Sequence, residues 1–506
     1  MNGHLLLVLP VVVPLATLAL CTLLWRRPLA QRLASVAGSA ALLAGAVALL
    51  VAVYDGTVLA THFGAWASPF GISFVADLLS AAMVLITAVM AVAVSVYSLV
   101  DEVRERERAL FHPLYHGLLL GVCGAFLTAD IFNLYVWFET MLIASFGLLV
   151  VGGTRAQLDA GVKYVTLNLV ATTLFLVSVG FLYGLTGTLN MADLARVLPR
   201  VENQGLVTTL AVMFLLAFGS KAALFPVFYW LPAAYHTASA PIVAIFAALL
   251  TKVGVYALLR TFTLMFTGDA GYTGPIIGAV AAMTMITGVL GAAAHFDIRR
   301  ILSFHIISQI GYMLVGLAVA TPLALAGSVL YVIHHIVVKA NLFLIAGAVR
   351  LASGSFDLKA MGGLHRSAPL LALLFAVPAM SLAGLPAMSG FWAKFVVVKS
   401  SLDAGHHVLG GVALVVGLLT LYSMVKIWNE AFWKAPTPLS SQAAAQWRAA
   451  PRLRWTMLAP IAVLAAITLS IGLAAEPFID YSLRAAAQLL APTAYIEAVL
   501  GQEVMR

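Results

Sequence analysis

Long apolar stretches, each about the length of a membrane-crossing helix, repeat from one end of this 506-residue chain to the other. Crossing the ~30 Å hydrocarbon core takes about 20 helical residues. The period-two alternation typical of an outer-membrane barrel is absent. The pattern therefore predicts an all-α integral membrane protein with about fourteen transmembrane helices, at roughly residues 4–24, 34–54, 74–99, 109–128, 130–151, 160–185, 207–231, 241–263, 273–294, 301–320, 322–348, 368–399, 408–432 and 455–476.

Composition agrees with this interpretation. Hydrophobic residues make up 62% of the chain and charged residues 9%, whereas about a quarter of the residues of a soluble protein are charged. The longest connections, around 187–206 and 434–454, are too short to hold a core of their own. We divide the chain into helices 1–3 (1–108), helices 4–8 (109–263), helices 9–13 (264–433), and a loop with helix 14 (434–506).

The positive charges predict the topology. The net charge is +8, but the lysines and arginines concentrate in short loops after odd-numbered spans, as with Arg26 and Arg27, or Arg299 and Arg300. By the positive-inside rule both termini lie on the extracytoplasmic side. This distribution argues against a nucleic-acid partner. The first apolar run precedes its positive charges and lacks a small-residue cleavage site, so it is predicted to be a span and not a signal peptide.

Motifs for cofactor chemistry are missing from the sequence. Cys21 and Cys123 lie in apolar stretches without a CxxC or Cys/His pairing, so no metal or iron–sulfur site is indicated. There is no GxxxxGK[ST] motif and no convincing dinucleotide fingerprint. We expect a transporter rather than an enzyme, with no cofactor, and with energy supplied by an ion gradient or by partner proteins.

Five charged residues fall near the middle of predicted spans: Glu139, Lys221, Lys252, Lys339 and Lys394. A charge at mid-bilayer costs ~3 kcal/mol on insertion scales, so five unpaired charges would cost on the order of 10 kcal/mol or more. These groups must face one another or water. A buried lysine without a permanent carboxylate partner can release and regain its proton near neutral pH, which suits a proton relay.

A purely structural role is the alternative for such charges. Lysines near span ends can extend to the interface, and this is the expected behaviour of Lys163, Lys399 and Lys426. Inert buried pairs could also hold helices together. An excess of central lysines over carboxylates makes that explanation weaker for the five central residues.

Two adjacent histidines precede Lys339. His335 lies one helical turn away on the same face, and His334 is its immediate neighbour. A lone buried histidine is more often a satisfied core residue, but beside a buried lysine it can pass protons at neutral pH. We predict a relay role for one of the two, with His305 and His236 as weaker candidates.

Prolines predict two broken helices. Pro226 follows Lys221 by five residues, and Pro386 precedes Lys394 by eight. Each removes a backbone donor and frees a carbonyl inside a span. A simple proline kink in a continuous helix is the alternative explanation. The two spans are seventh and twelfth, so they cross in opposite directions. That offset favours two inverted five-helix repeats, helices 4–8 and 9–13.

Several segments resemble a known family. They are "DIFNLYVWFETMLIASFGLL", "GSKAALFPVFYWLPAAYHTASAPIVAIFAALLTKVGVYAL", "RRILSFHIISQIGYMLVGLA", "HHIVVKANLFLIAG" and "AGLPAMSGFWAKF". They resemble the antiporter-like subunits of complex I, membrane-bound hydrogenases and Mrp cation/proton antiporters, and among these the D-type Mrp subunits most. The resemblance implies fourteen helices with inverted repeats, a bacterial plasma-membrane location, and Mrp-type partner subunits.

The resemblance also implies roles for single residues. Glu139 matches the essential glutamate of the fifth helix, and Lys221 the seventh-helix lysine paired with it. Lys252 matches the connecting lysine of helix 8, while Lys394 stands in the exit half. His335 and Lys339 match the relay of helix 11. The expected function is proton translocation in a multisubunit antiporter that exchanges a monovalent cation for protons. The resemblance implies that this cation is Na⁺.

Two rival functions stay open at this point. The same relay could serve a redox-driven proton pump of the complex I or hydrogenase type. Alternatively, the chain could be a scaffold whose buried charges are inert. The residues do not identify the exchanged cation or the stoichiometry, nor whether the cation crosses this subunit.

Overall fold

The computed structural model describes residues 3–100 and 105–501. Within them, thirteen helices are long and apolar enough to cross a membrane: Gly3–Leu23, Pro28–Val53, Leu78–Tyr97, Leu110–Leu127, Ile131–Val150, Arg155–Thr186, Gln204–Ala222, Ala240–Leu264, Ala270–Ala294, Ile298–Val319, Pro322–Ser353, His407–Trp433 and Pro451–Leu473. Two shorter helices, Pro369–Ala383 and Ser389–Asp403, form one further, broken crossing. The predicted all-α membrane fold is confirmed. We number the fourteen spans in chain order, with the broken pair as span 12.

Polar residues between the apolar runs determine where spans begin. The Asp130 side chain accepts a bond from the Asn133 amide (2.7 Å) at the start of span 5. Thr154 and Gln157 form a reciprocal capping box at the start of span 6. The first amides of a helix have no partner within it, so such caps stabilise a defined start.

Spans 7 and 12 are discontinuous, as predicted. Span 7 ends at Ala223, which has a left-handed backbone (φ 62°), and helix resumes only over Trp230–Ala234. Span 12 is interrupted at Gly384 (φ 90°). Pro226 and Pro386 lie inside the two gaps. Because proline cannot donate to a preceding carbonyl, each gap leaves backbone carbonyls for other donors.

Spans 8 and 13 contain π-helical turns. Span 8 changes to π geometry over Phe246–Leu250, and span 13 ends in a π segment, Trp428–Trp433. A π turn shifts the hydrogen-bond register and is frequent at functional sites.

Short elements connect the spans. A hairpin of two antiparallel strands, Leu59–His62 and Ser73–Ala76, precedes span 3. The predicted third span, 74–99, wrongly includes Phe74, Val75 and Ala76 of the second strand, because a short apolar run does not distinguish strand from helix. The remaining elements are the helices Met191–Val197, Leu364–Ser367, Pro438–Ala449, Ala475–Leu490 and Thr493–Leu500, and 3₁₀ turns at Phe63–Ala65, Leu198–Arg200 and Leu358–Ala360.

Burial separates central from peripheral spans. The most apolar windows of spans 8, 10 and 11 are 100%, 94% and 94% buried. Those of spans 1, 2, 6, 9 and 13 are 33–39% buried, so most of their side chains face outward. Ionisable residues in the middle of these spans, such as Lys252, His305 and Lys339, therefore face protein.

Candidate functional site

Lys221 occupies the last turn of span 7, directly before the break. Its side chain is buried at 2% exposure. Nζ donates to Asn168 Oδ1 of span 6 (3.2 Å) and lies 5.8 Å from the centre of the Phe138 ring. The amide accepts whether the amine is charged or neutral, so this contact does not require a permanent ammonium.

Glu139 lies on the outward face of span 5. It shares that face with Phe132, Val136 and Ile143, which are 43%, 40% and 68% exposed, and is itself half-buried. The ion pairs found within residues 3–100 and 105–501 do not include Glu139. The expected contact with Lys221 is therefore not made here, although the two charges remain within electrostatic reach.

Lys252 follows the π turn of span 8. The side chain is fully buried, and Nζ donates to the Ala247 carbonyl, 2.5 Å away. That carbonyl lies within the π segment, where the altered register leaves acceptors available. The irregular turn thus gives Lys252 a neutral partner inside the membrane.

His335 and Lys339 occupy one face of span 11, as predicted. Lys339 Nζ donates to the Leu302 carbonyl of span 10 (3.2 Å). Neither ring nitrogen of His335 has a hydrogen-bond partner. His335 is within electrostatic reach of Lys252 on span 8 and of Lys339 on its own span.

His334 points to a different neighbour. Its Nδ1 is 2.8 Å from the Ser389 hydroxyl, and that hydroxyl is 2.8 Å from Ser381 Oγ. The two serines belong to the two halves of span 12. His334 therefore connects span 11 to both sides of the break, and it is also within electrostatic reach of Lys339 and Lys394.

Lys394 completes the predicted set in the second half of span 12. Nζ donates to the carbonyls of Leu382 and Ala383 (2.9 and 3.0 Å), which end the first half of that span. It also lies 5.4 Å from the Tyr312 ring centre. The carbonyl end of a half-helix favours a cation, and the break supplies that end at membrane depth.

Several buried polar residues around these lysines did not enter the predicted site. Asn168 stands inside the apolar run of span 6, where a mid-span amide was an available signal. Gln309 accepts from the Tyr331 hydroxyl (2.5 Å) between spans 10 and 11. Buried atoms without a protein partner occur in Thr251, Ser308, Gln309 and Asn341, and also in the candidate histidines His305, His334 and His335. Such atoms are where ordered water binds.

The structure also tests the lysines predicted to lie at span ends. Lys163 and Lys399 form exposed 2.6 Å pairs with Asp159 and Asp403, as surface lysines do. Lys426 has a different kind of partner. Its Nζ donates to backbone carbonyls at the end of span 9, of Ala292, Ala293 and His295. Those last carbonyls lack helical partners, so the ammonium caps the helix end.

His236 was a weaker candidate for the relay. His236 is engaged on both nitrogens, since Nδ1 lies 2.9 Å from the Pro232 carbonyl and Nε2 3.2 Å from Arg300 Nη2. An unpredicted ion pair joins Asp77, the N-cap residue of span 3, to Arg260 of span 8 at 2.7 Å. Both side chains are at most 5% exposed. No group of three or more His, Cys, Asp or Glu able to hold a metal occurs in the described part of the chain.

Comparison with known proteins identifies the family of the chain. The transmembrane family of NADH:quinone oxidoreductases and Mrp antiporters matches residues 128–421. The D-type subunit of a Na⁺/H⁺ antiporter from Alkalihalophilus pseudofirmus is 45% identical over 98% of this chain and 99% of its own. The chain belongs to this antiporter family. The D-type Na⁺/H⁺ antiporter subunit of Bacillus subtilis is 38% identical to this antiporter-family chain over the same shares.

Solved structures contain chains with the same fold. A chain of the Mrp complex from Dietzia sp. superposes with a TM-score of 0.91 at 35% identity, covering 99% of this antiporter-family chain and all of the other. A chain of respiratory complex I from Thermus thermophilus gives 0.79 at 24% identity over 96% of this chain and 99% of its own. The second likeness is one of fold.

Proposed function

We propose that the chain is the proton-translocating, D-type subunit of a multisubunit Na⁺/H⁺ antiporter in a bacterial plasma membrane. The close relatives, similar over nearly their whole length, are Na⁺/H⁺ antiporter subunits, and the structural neighbour at 35% identity belongs to an Mrp complex. A transport role follows from that relationship. The residues that carry it are proposed from the geometry of the site.

The supporting observation is a set of four lysines with neutral partners, three of them buried and Lys394 half-buried. Lys221 donates to an amide, and Lys252, Lys339 and Lys394 donate to backbone carbonyls. An amine donates to these acceptors in either charge state. A fixed carboxylate partner would instead hold the ammonium in place. Four lysines arranged in this way can gain and lose protons in turn.

We order the relay by the contacts between spans. A proton reaches Lys221 at the break of span 7 and passes to Lys252 on span 8. It then crosses to His335 and Lys339 on span 11 and continues to Lys394 at the break of span 12. Ordered water at the unpartnered atoms of spans 8, 10 and 11 links these groups. The two breaks lie five spans apart, which supports inverted repeats of spans 4–8 and 9–13.

The outward position of Glu139 supports a partner subunit on span 5. A half-exposed carboxylate among exposed apolar side chains would cost ~3 kcal/mol against lipid. A neighbouring subunit with hydrogen-bond donors would remove that cost. We assign Glu139 the control of Lys221: when the carboxylate approaches it stabilises the ammonium, and when it withdraws the proton moves on.

The test compares Lys339→Ala with Lys399→Ala in the assembled complex. Lys399 is a matched control, because it pairs with Asp403 on the surface. We expect Lys339→Ala to abolish Na⁺-driven collapse of a pH gradient in vesicles, and Lys399→Ala to keep it. Normal exchange by assembled Lys339→Ala complexes would reject the relay. Copurification with iron–sulfur subunits instead of antiporter subunits would reject the assignment to an antiporter.

A further inference from the structure

Two apolar cavities form one continuous groove between spans 2, 3 and 14. One has a volume of about 310 Å³ and the other about 360 Å³. They meet at Val89 of span 3 and Ile467 of span 14, which line both. For scale, a 150 Å³ apolar cavity accepts benzene, so each half has room for a longer hydrocarbon segment.

The groove runs along the membrane normal and opens sideways. On span 14 it extends from Ala459 to Ile471, which at 1.5 Å per residue is about 18 Å and slightly exceeds one leaflet of the ~30 Å hydrocarbon core. Val463, which lines it, is 56% exposed. The groove is therefore reachable from the surrounding lipid rather than sealed inside the bundle.

Polar groups occur at one end of the groove. Tyr54 and Tyr481, whose ring centres are 6.2 Å apart, line that end. Arg484 donates to the Tyr54 carbonyl and lies over its ring. Asp55 follows directly and is within electrostatic reach of Arg484. The Thr57 amide donates to the Asp55 carboxylate and lowers its pKa, so that carboxylate is ionised at neutral pH.

We propose that this groove binds a glycerophospholipid whose head group carries both a phosphate and an ammonium. One acyl chain lies in the groove, the phosphate faces Arg484, and the ammonium faces Asp55. The adjacent cation and anion match a zwitterionic head group better than a purely anionic one. A guanidinium binds phosphate oxygens well, and the apolar walls match the chain.

Such a lipid would insulate the relay. Ile333 lines the groove from span 11 and immediately precedes His334 in the sequence. An acyl chain against Ile333 keeps water away from the outward side of the relay helix. The groove is thus a place where the central span can be reached from outside the bundle.

The test measures lipid retention on the whole complex, without reference to transport. Phosphatidylethanolamine with a photoreactive acyl chain is crosslinked in vesicles, and the labelled residues are identified by mass spectrometry. We expect labels around Val463 and Ile467. Ile467→Trp, which fills the junction of the cavities, should lower that labelling at least fivefold. Leu418→Trp, at a 69% exposed position of span 13, should leave it unchanged.

Native mass spectrometry provides the second measurement. Wild-type and Leu418→Trp complexes should retain one more phosphatidylethanolamine than Ile467→Trp complexes. Asp55→Asn should reduce the preference for phosphatidylethanolamine over phosphatidylglycerol, because only the first head group carries an ammonium to face Asp55. Equal labelling and retention in wild-type and Ile467→Trp complexes would overturn the proposal. So would efficient crosslinking of a cysteine at Val463 to a partner subunit, since protein would then occupy the groove.

Discussion

Replacing Asn168 with leucine tests whether a neutral amide governs the protonation of Lys221. Leucine has the same branched arrangement of side-chain heavy atoms as asparagine, so the change removes the Oδ1 acceptor of the 3.2 Å bond without opening a cavity. Asn168 is 2% exposed, so bulk water does not replace the acceptor. The amide also donates to the Tyr164 carbonyl within its own helix (2.8 Å), and losing that bond does not act on the lysine.

The expected change in Lys221 protonation follows from comparing the hydrogen bond of its charged form with that of its neutral form. A hydrogen bond to a charged group contributes about 1.5–3 kcal/mol, and one between neutral groups about 1 kcal/mol. The protonated form therefore loses about 0.5–2 kcal/mol more than the neutral form. At about 1.4 kcal/mol per tenfold change, the ratio of protonated to neutral Lys221 falls about 2- to 30-fold.

The lower population of protonated Lys221 predicts the direction in which the pH profile of exchange moves. Fewer lysines carry a proton at a given pH, so exchange slows most under alkaline conditions. Acidification restores loading by mass action, which moves the profile about 0.4–1.5 pH units to lower pH. Na⁺-driven proton exchange is measured in vesicles between pH 6 and 9. Thr209→Val is the control on span 7, because that exposed hydroxyl bonds only within its own helix. An unchanged profile in assembled Asn168→Leu complexes would refute the reasoning.

Three further predictions concern the ion pair, the broken span and the outer carboxylate. Asp77→Asn leaves a buried guanidinium without its charge partner and should destabilise the protein by about 3–5 kcal/mol, seen as a lower melting temperature; an unchanged value would contradict this. Gly390→Ala places a Cβ 1.8 Å from the Ser381 carbonyl and should prevent assembly, whereas Gly411→Ala meets nothing within 4 Å and should assemble. Equal yields of these two variants on size-exclusion chromatography would count against the tight packing of span 12. Glu139→Gln should assemble but lose at least tenfold in exchange rate, and wild-type exchange would remove Glu139 from the mechanism.

Local sequence determined the membrane architecture, because hydrophobic length and helix-breaking residues act within a few turns. A run of about 20 apolar residues must form a helix in lipid, since its backbone groups have no other partners. Pro226 and Pro386 marked the two breaks for an equally local reason. The central lysines were also predictable as buried groups, because an isolated charge is too costly to face hydrocarbon.

Tertiary structure decided which groups touch. Glu139 and Lys221 are on different spans, and only the packing of spans 5, 6 and 7 shows that Asn168, not Glu139, contacts the lysine. In the same way, only the packing of spans 9 and 13 shows that Lys426 binds the last carbonyls of span 9. Contacts between spans depend on the rotation of each helix about its axis and on its depth in the membrane. A hydrophobic pattern determines neither. Sequence thus determined the spans and their breaks, and packing alone decided the partners of the buried charges.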